Sequence, residues 1–192
     1  MPSAEPRILP CGDAALAVEF GRTIDAALTS RVLSLDRAVR AEQIPGIVET
    51  VPTYRSLLVH YDPVVVDFAA LAGRLREIVL QPAPPPPALR RWRIPVVYGG
   101  ASGIDLEEIA RHHGVPPEQI VAWHTGGDYR VAMIGFTPGW SYLSGLDPRL
   151  ATPRRASPRT DTPAGAISIG GEQAGVQCLA APSGWHLLGR TP

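Results

Sequence analysis

Residues 135–171 read GFTPGWSYLSGLDPRLATPRRASPRTDTPAGAISIGG, and the way this stretch is read decides the fold assigned to the chain. It carries five prolines and four arginines among scattered glycines, with almost no regular periodicity. Glycine opens backbone conformations with positive φ, while proline fixes φ and removes a donor, so a segment rich in both is a shaped loop. Irregular segments of this length are either functional or disordered. Phe136, Trp140, Tyr142, Leu143, Leu146 and Leu150 supply apolar anchors that disordered tracts lack. We therefore expect an ordered loop that presents arginines.

Arg149, Arg154, Arg155 and Arg159 fall within eleven positions, offset only by Asp147 and Asp161. Several guanidinium groups on a rigid loop make an anion site for carboxylate, phosphate or carbamate. The alternative is a solvated basic patch paired with the two aspartates. All eighteen basic residues of the chain are arginine. Without lysine, neither a Schiff base nor a Walker-type phosphate loop is available in this chain. Net charge is zero, so the total implies no long-range attraction to nucleic acid or to an anionic membrane.

Outward from the loop, Tyr129 to Phe136 reads as a strand leading into it, and Ala166–Ile169, Val176–Leu179 and Trp185–Leu188 read as strands following it. Upstream, Trp92–Tyr98 reads as a strand, Asp105 and Glu108 have capping-box spacing for a short helix, and Pro116-Pro117 opens another that ends near His124. Residues 81–88, QPAPPPPA, form a polyproline spacer, with an SH3-like ligand as the alternative. Before it, Ala14–Phe20, Ile47–Val51 and Ser56–Tyr61 read as strands. Ile24, Leu28, Val32, Leu35 and Val39 form one helical face, and a second helix is capped by Asp67. We expect an α+β chain: a two-layer α/β domain over 1–81, a proline-rich linker over 82–88, and a domain of short antiparallel strands over 89–192.

Other chemistry is sparse. Cys11 and Cys178 are too few for a disulfide framework and read as buried free thiols. Ser141, Ser144 and Ser183 lie outside any G-x-S-x-G elbow. His112 and His113 are adjacent on a helix and are expected to point apart, and no metal-ligand spacing emerges. His124 reads as a helix C-terminal or hydrogen-bonded structural group, with a general base as the alternative. Gln173 has a group suited to orienting an amide or carboxylate, and Trp185 suits an apolar wall or plain core. No apolar run has membrane-spanning length and the N-terminus lacks a signal pattern, so a cytoplasmic protein without a membrane is expected.

The run GFTPGWSYLSGLDPRLATPRRASPRTDTPAGAISIGGEQAG over 135–175, followed by PSGWHLLGRTP over 182–192, resembles the signature of the 5-oxoprolinase B-subunit family. That family also includes the kinase inhibitor KipI and the protein called allophanate hydrolase subunit 1. The resemblance is dense from Ile94 to Pro192 and fainter from Ile8 to Pro63. It implies that the second domain is a cyclophilin-like β-barrel. Relatives continue past the GRTP motif, so a barrel short of its last strand is expected at Pro192. It further implies a role beside a homologous C-type subunit (of KipA or allophanate hydrolase subunit 2 type) and an A-type subunit, together using ATP to open 5-oxoproline to glutamate. KipI-like inhibition of a sensor histidine kinase and a urea carboxylase-type role remain the alternatives. Arg154 and Arg159 match the family's PRRxxPR motif and His124 matches a family histidine, so these three are the candidate catalytic residues. Phe136, Pro138, Tyr142, Arg155, Gln173 and Trp185 are the candidates for binding substrate or nucleotide.

Overall fold

The structure, a computed structural model, describes residues 5–82 and 84–192; Ala83, within the expected proline spacer, lies outside them. The chain divides into two compact units, 1–90 and 91–192.

The first unit opens with β1 (Arg7–Pro10), a short strand beyond those expected, and continues with β2 (Ala15–Glu19). Helix α1 (Ala26–Glu42) starts where Asp25 accepts the amides of Ala27 and Leu28, which would otherwise lack partners. Strands β3 (Ile47–Pro52) and β4 (Ser56–Tyr61) follow, then α2 (Phe68–Val79), whose Asp67 cap accepts the Ala70 amide at 2.8 Å. All pairings are antiparallel, in the order β1-β2-β4-β3. Alternation in β2 and β4 sends Leu16, Val18, Leu57 and Val59 inward, where they meet Val32, Leu35 and Val39 of α1 and Leu71, Leu75 and Ile78 of α2. Cys11 is exposed rather than buried.

The second unit begins as extended chain that becomes a strand only at β5 (Val97–Tyr98), shorter than expected. Two helices follow, α3 (Leu106–His113) and α4 (Pro117–Thr125). The remaining strands are β6 (Arg130–Ile134), β7 (Ser141–Ser144), β8 (Arg159–Thr162), β9 (Ala166–Gly170), β10 (Gln173–Val176), β11 (Ala181–Ser183) and β12 (His186–Arg190). The stretch 135–171 is therefore not one long loop. Its serine- and tyrosine-bearing arm pairs as β7 between β6 and β10, and Arg159 begins β8. The strand expected over Val176–Leu179 lies earlier, at β10, where Gly175 lets Trp140 and Trp185 close over the backbone.

Six strands form one antiparallel sheet in the order β5-β12-β9-β10-β7-β6, and β8 and β11 form a separate pair. The sheet ends at β5 and β6, so the described residues form an open sheet and not the closed barrel that the resemblance implies. Ile169, Ala174 and Leu188 on one face pack under Leu106, Ile109 and Ile120 of the two helices. Trp140, Trp185 and Tyr142 meet one another edge to face. No helix among the described residues is long and apolar enough to cross a membrane.

Candidate functional site

The approach of α3 to β12 sets the site. A Cβ on Gly103 would lie 1.9 Å from the Leu188 carbonyl oxygen, so only glycine allows this contact. The Asp105 amide then donates to the Leu187 carbonyl at 3.1 Å, and Asp105 Oδ2 accepts the Leu187 amide at 2.7 Å. Asp105 stands at the N-cap of α3, yet its side chain caps nothing. Asp105 is 3% exposed, and its carboxylate turns away from the helix. Oδ1 receives Arg159 Nη2 and, at 3.3 Å, Arg155 Nη1. The expected capping box is thus replaced by a buried ion cluster, because two arginines fifty or more residues downstream outcompete an amide for the charge.

Residues 152–155 are pinned from three sides. Thr152 and Gly171 exchange backbone hydrogen bonds, the Arg155 amide donates to Gly184 O at 2.8 Å, and His186 Nε2 donates to Pro153 O at 2.9 Å. The Thr152 hydroxyl donates to Leu150 O, so the 2.9 Å contact from His113 Nε2 is a donation from the imidazole. Burial, then the neighbouring His112, lowers the pKa of His113. The two rings meet edge-on at 4.8 Å rather than pointing apart.

This pinned segment borders a cleft of about 430 Å³ whose wall includes Arg154, Arg155, His112, His186 and Glu108. The four loop arginines therefore separate by role. Arg149 pairs with Asp147, holding that carboxyl down at about 2, and lies over the Trp123 ring. Arg159 is tied to Asp105 and the Trp185 carbonyl. Arg155 shares Asp105, pairs also with Glu108 at 3.8 Å, and lines the cleft, with Nε buried and without a hydrogen-bond partner among the described residues. Arg154 alone of the four has no carboxylate partner among the described residues; it lies over the Trp185 ring at 5.4 Å and opens into the cleft. A cleft with one guanidinium free of carboxylates, beside a second that is shared between Asp105 and Glu108, suits an anionic ligand on Arg154.

The other sequence candidates do not line this cleft. His124 is 6% exposed, packed beside Tyr98 and Tyr129, with Nδ1 2.7 Å from the Tyr98 hydroxyl. Burial lowers its pKa to about 4 and raises those of both tyrosines. Phe136 and Pro138 are exposed on the turn after β6, Tyr142 joins the aromatic cluster, and Gln173 sits half-buried on β10. Phe136 holds φ of 67° and meets Trp140 edge-on. Cys178 is exposed, its thiol against Gly139 O. The site roles of Asp105, Thr152 and His186 are not legible in the sequence: Asp105 carries an ordinary capping signal, and the side-chain contacts from His113 to Thr152 and from His186 to Pro153 span 39 and 33 residues.

The family model for the carboxyltransferase domain, subdomain C and D, matches residues 6–192. The 5-oxoprolinase B-subunit of Bacillus subtilis (strain 168) is 36% identical, over 94% of this chain and 80% of its own. The chain belongs to the 5-oxoprolinase B-subunit family. A crystal structure of TTHA0988 superposes with a TM-score of 0.79 at 34% identity, covering 93% of this chain; the chain spans only 34% of that protein. A similar fold occurs in the urea amidolyase of K. lactis, with a TM-score of 0.80 over 100% of this chain and 13% of that enzyme, at 21% identity.

Proposed function

We propose that this chain is a non-autonomous subunit of a cytoplasmic, ATP-dependent 5-oxoprolinase, acting with a homologous C-type subunit and an A-type subunit. The names of its relatives support that reading, and the cleft supplies a chemical role. A lactam amide resists attack by water. Transfer of the ATP γ-phosphoryl to the lactam oxygen, releasing ADP, would turn that oxygen into a leaving group. Water then adds at the ring carbon, the tetrahedral adduct expels the ring nitrogen as the free amine to leave a γ-glutamyl phosphate, and a second water hydrolyses that acyl phosphate to glutamate and phosphate. Every species on this route carries at least one anionic oxygen group, and fixed cations are the residues that hold such groups.

The observation that carries the proposal is the contrast between Arg154 and its neighbours: a guanidinium without a carboxylate among the described residues, on a pinned segment, at the wall of a cleft. In this reading Arg154 and Arg155 touch the anion, while Arg159 braces Asp105. The site is expected to need a partner subunit for full enclosure. The test is turnover of 5-oxoproline by the reconstituted three-subunit assembly. Arg154→Ala and Arg155→Ala should each lower turnover at least about tenfold while the subunits still co-purify. Unchanged rates would remove the arginines from the reaction; no 5-oxoproline turnover from intact assembly, with inhibition of a histidine kinase instead, would favour a KipI-like role.

A further inference from the structure

The first unit carries a pocket of its own, about 190 Å³, between α1 and the end of α2. Its floor is apolar, made by Phe20, Leu35, Ala38 and Ile78, and the exposed residues Ser30 and Gln81 stand at its mouth. Arg31 is the one charged side chain among the described residues that line it. Its guanidinium lies over the Phe20 ring, Cζ 4.5 Å from the centroid, and has no hydrogen bond or carboxylate among the described residues. Stacking on a ring orients a guanidinium and leaves its N–H donors available.

The two serines of the rim differ. Ser30 Oγ donates to the Ala26 carbonyl at 2.9 Å, so its hydrogen is taken. Ser34 Oγ instead accepts from Arg37 Nη2 at 3.1 Å, and its own hydrogen meets no acceptor among the described residues. Arg31 and Ser34 are three positions apart on α1 and so stand side by side. One side of the pocket thus offers a guanidinium and a hydroxyl hydrogen, with Arg37 adding positive charge behind them. The other side is the carbonyl end of α2 at Ile78, which disfavours anions.

We propose that this pocket binds a small monocarboxylic acid bearing one ring or a short branched chain, its carboxylate on Arg31 and Ser34 and its apolar part against Leu35, Ala38 and Ile78. A dry cavity of about 150 Å³ accepts benzene, so the space here suits one ring and little more. The opposed characters of α1 and the α2 terminus set the orientation of the acid. No lining residue is shared with the cleft of the second unit, so this site is independent of the proposed reaction.

The experiment is titration calorimetry on the full chain with phenylacetate, its neutral isostere phenylacetamide, and acetate. Phenylacetate should bind with a Kd below about 1 mM. Phenylacetamide should bind at least about tenfold more weakly, the scale of a lost charge-assisted hydrogen bond, and acetate more weakly still. Arg31→Met keeps an unbranched stem over Phe20 but removes the charge, and should bring phenylacetate to the amide's affinity while leaving the amide unchanged. Ser34→Ala should weaken phenylacetate about threefold. Ala38→Leu, which fills the floor, should weaken both aromatic probes at least about tenfold, with far-UV circular dichroism confirming that each variant is folded. Absence of phenylacetate binding to the unmodified chain, equal affinities for acid and amide, or binding that survives Arg31→Met would each overturn the assignment.

Discussion

Replacing Asp105 tests the arrangement that everything else in the site depends on. Its side chain is 4% exposed, while those of Arg155 and Arg159 keep 26% and 18%. Asp105→Asn retains an oxygen for the Leu187 amide but removes the charge shared by the two guanidiniums. Breaking a fully buried pair costs about 3–5 kcal/mol, but these arginines are partly solvated and water can take over some of their bonds, so we expect about 2 kcal/mol. Asp105→Ala also orphans the buried Leu187 amide, adding about 1–3 kcal/mol, for a total of about 4 kcal/mol. Adding Arg159→Met to Asp105→Ala should recover about 1–2 kcal/mol, because it removes a cation left without its counter-charge. Urea unfolding, followed by tryptophan fluorescence from Trp140 and Trp185, measures all three. If Asp105→Ala unfolds at the wild-type denaturant concentration, or if Arg159→Met deepens the loss, the carboxylate does not organise the arginines and the reasoning fails.

Three further predictions rest on separate features. Arg154→Ala, which removes no ion pair seen among the described residues, should leave the unfolding free energy within about 0.5 kcal/mol of wild type, whereas Arg159→Ala should cost about 2–3 kcal/mol in the same assay. His124 has a folded pKa of about 4 against an ordinary value of 6.5, so the unfolded chain binds its proton first as pH falls. Stability should be at its full value above pH 6.5 and be lost progressively towards pH 4, by on the order of 3 kcal/mol, and His124→Gln should flatten that part of the pH profile of unfolding. Gly175→Ala would put a Cβ 2.6 Å from Trp140 Cζ2 and should cost about 1–3 kcal/mol with a shifted tryptophan emission spectrum, while Gly73→Ala, in a helix with open space at that position, should be neutral or stabilising.

The first unit was largely legible because its signals are local. Asp25 and Asp67 cap the helices they precede, and the alternation of Leu57, Val59 and Tyr61 marks the buried face of a strand. In the second unit the same rules misled at informative places. Val176–Leu179 has strand composition, but the strand ends at Val176, and Gln177 turns in to bond the Leu179 carbonyl. Both cysteines are exposed where burial statistics favoured the core. The long proline- and arginine-rich stretch concealed strands β7 and β8, which are only four residues each and pair with β6 and β10 and with β11 without leaving a periodic trace.

By itself, the amino-acid sequence determined the helices and their caps, the alternating strands, the absence of any lysine-based chemistry and the concentration of arginine in one segment. All of these depend on neighbours a few positions apart, where propensity, spacing and side-chain type suffice. Only the tertiary structure decided which arginine is free. Asp105, read locally as a helix cap, is claimed by Arg155 and Arg159 and by the Leu187 amide, and that choice leaves Arg154 open at the cleft beside His186, whose Nδ1 has no partner among the described residues. A charge goes to the partners that desolvate it together, and those partners are brought near by strand pairing and by the close approach at Gly103, not by proximity in the chain.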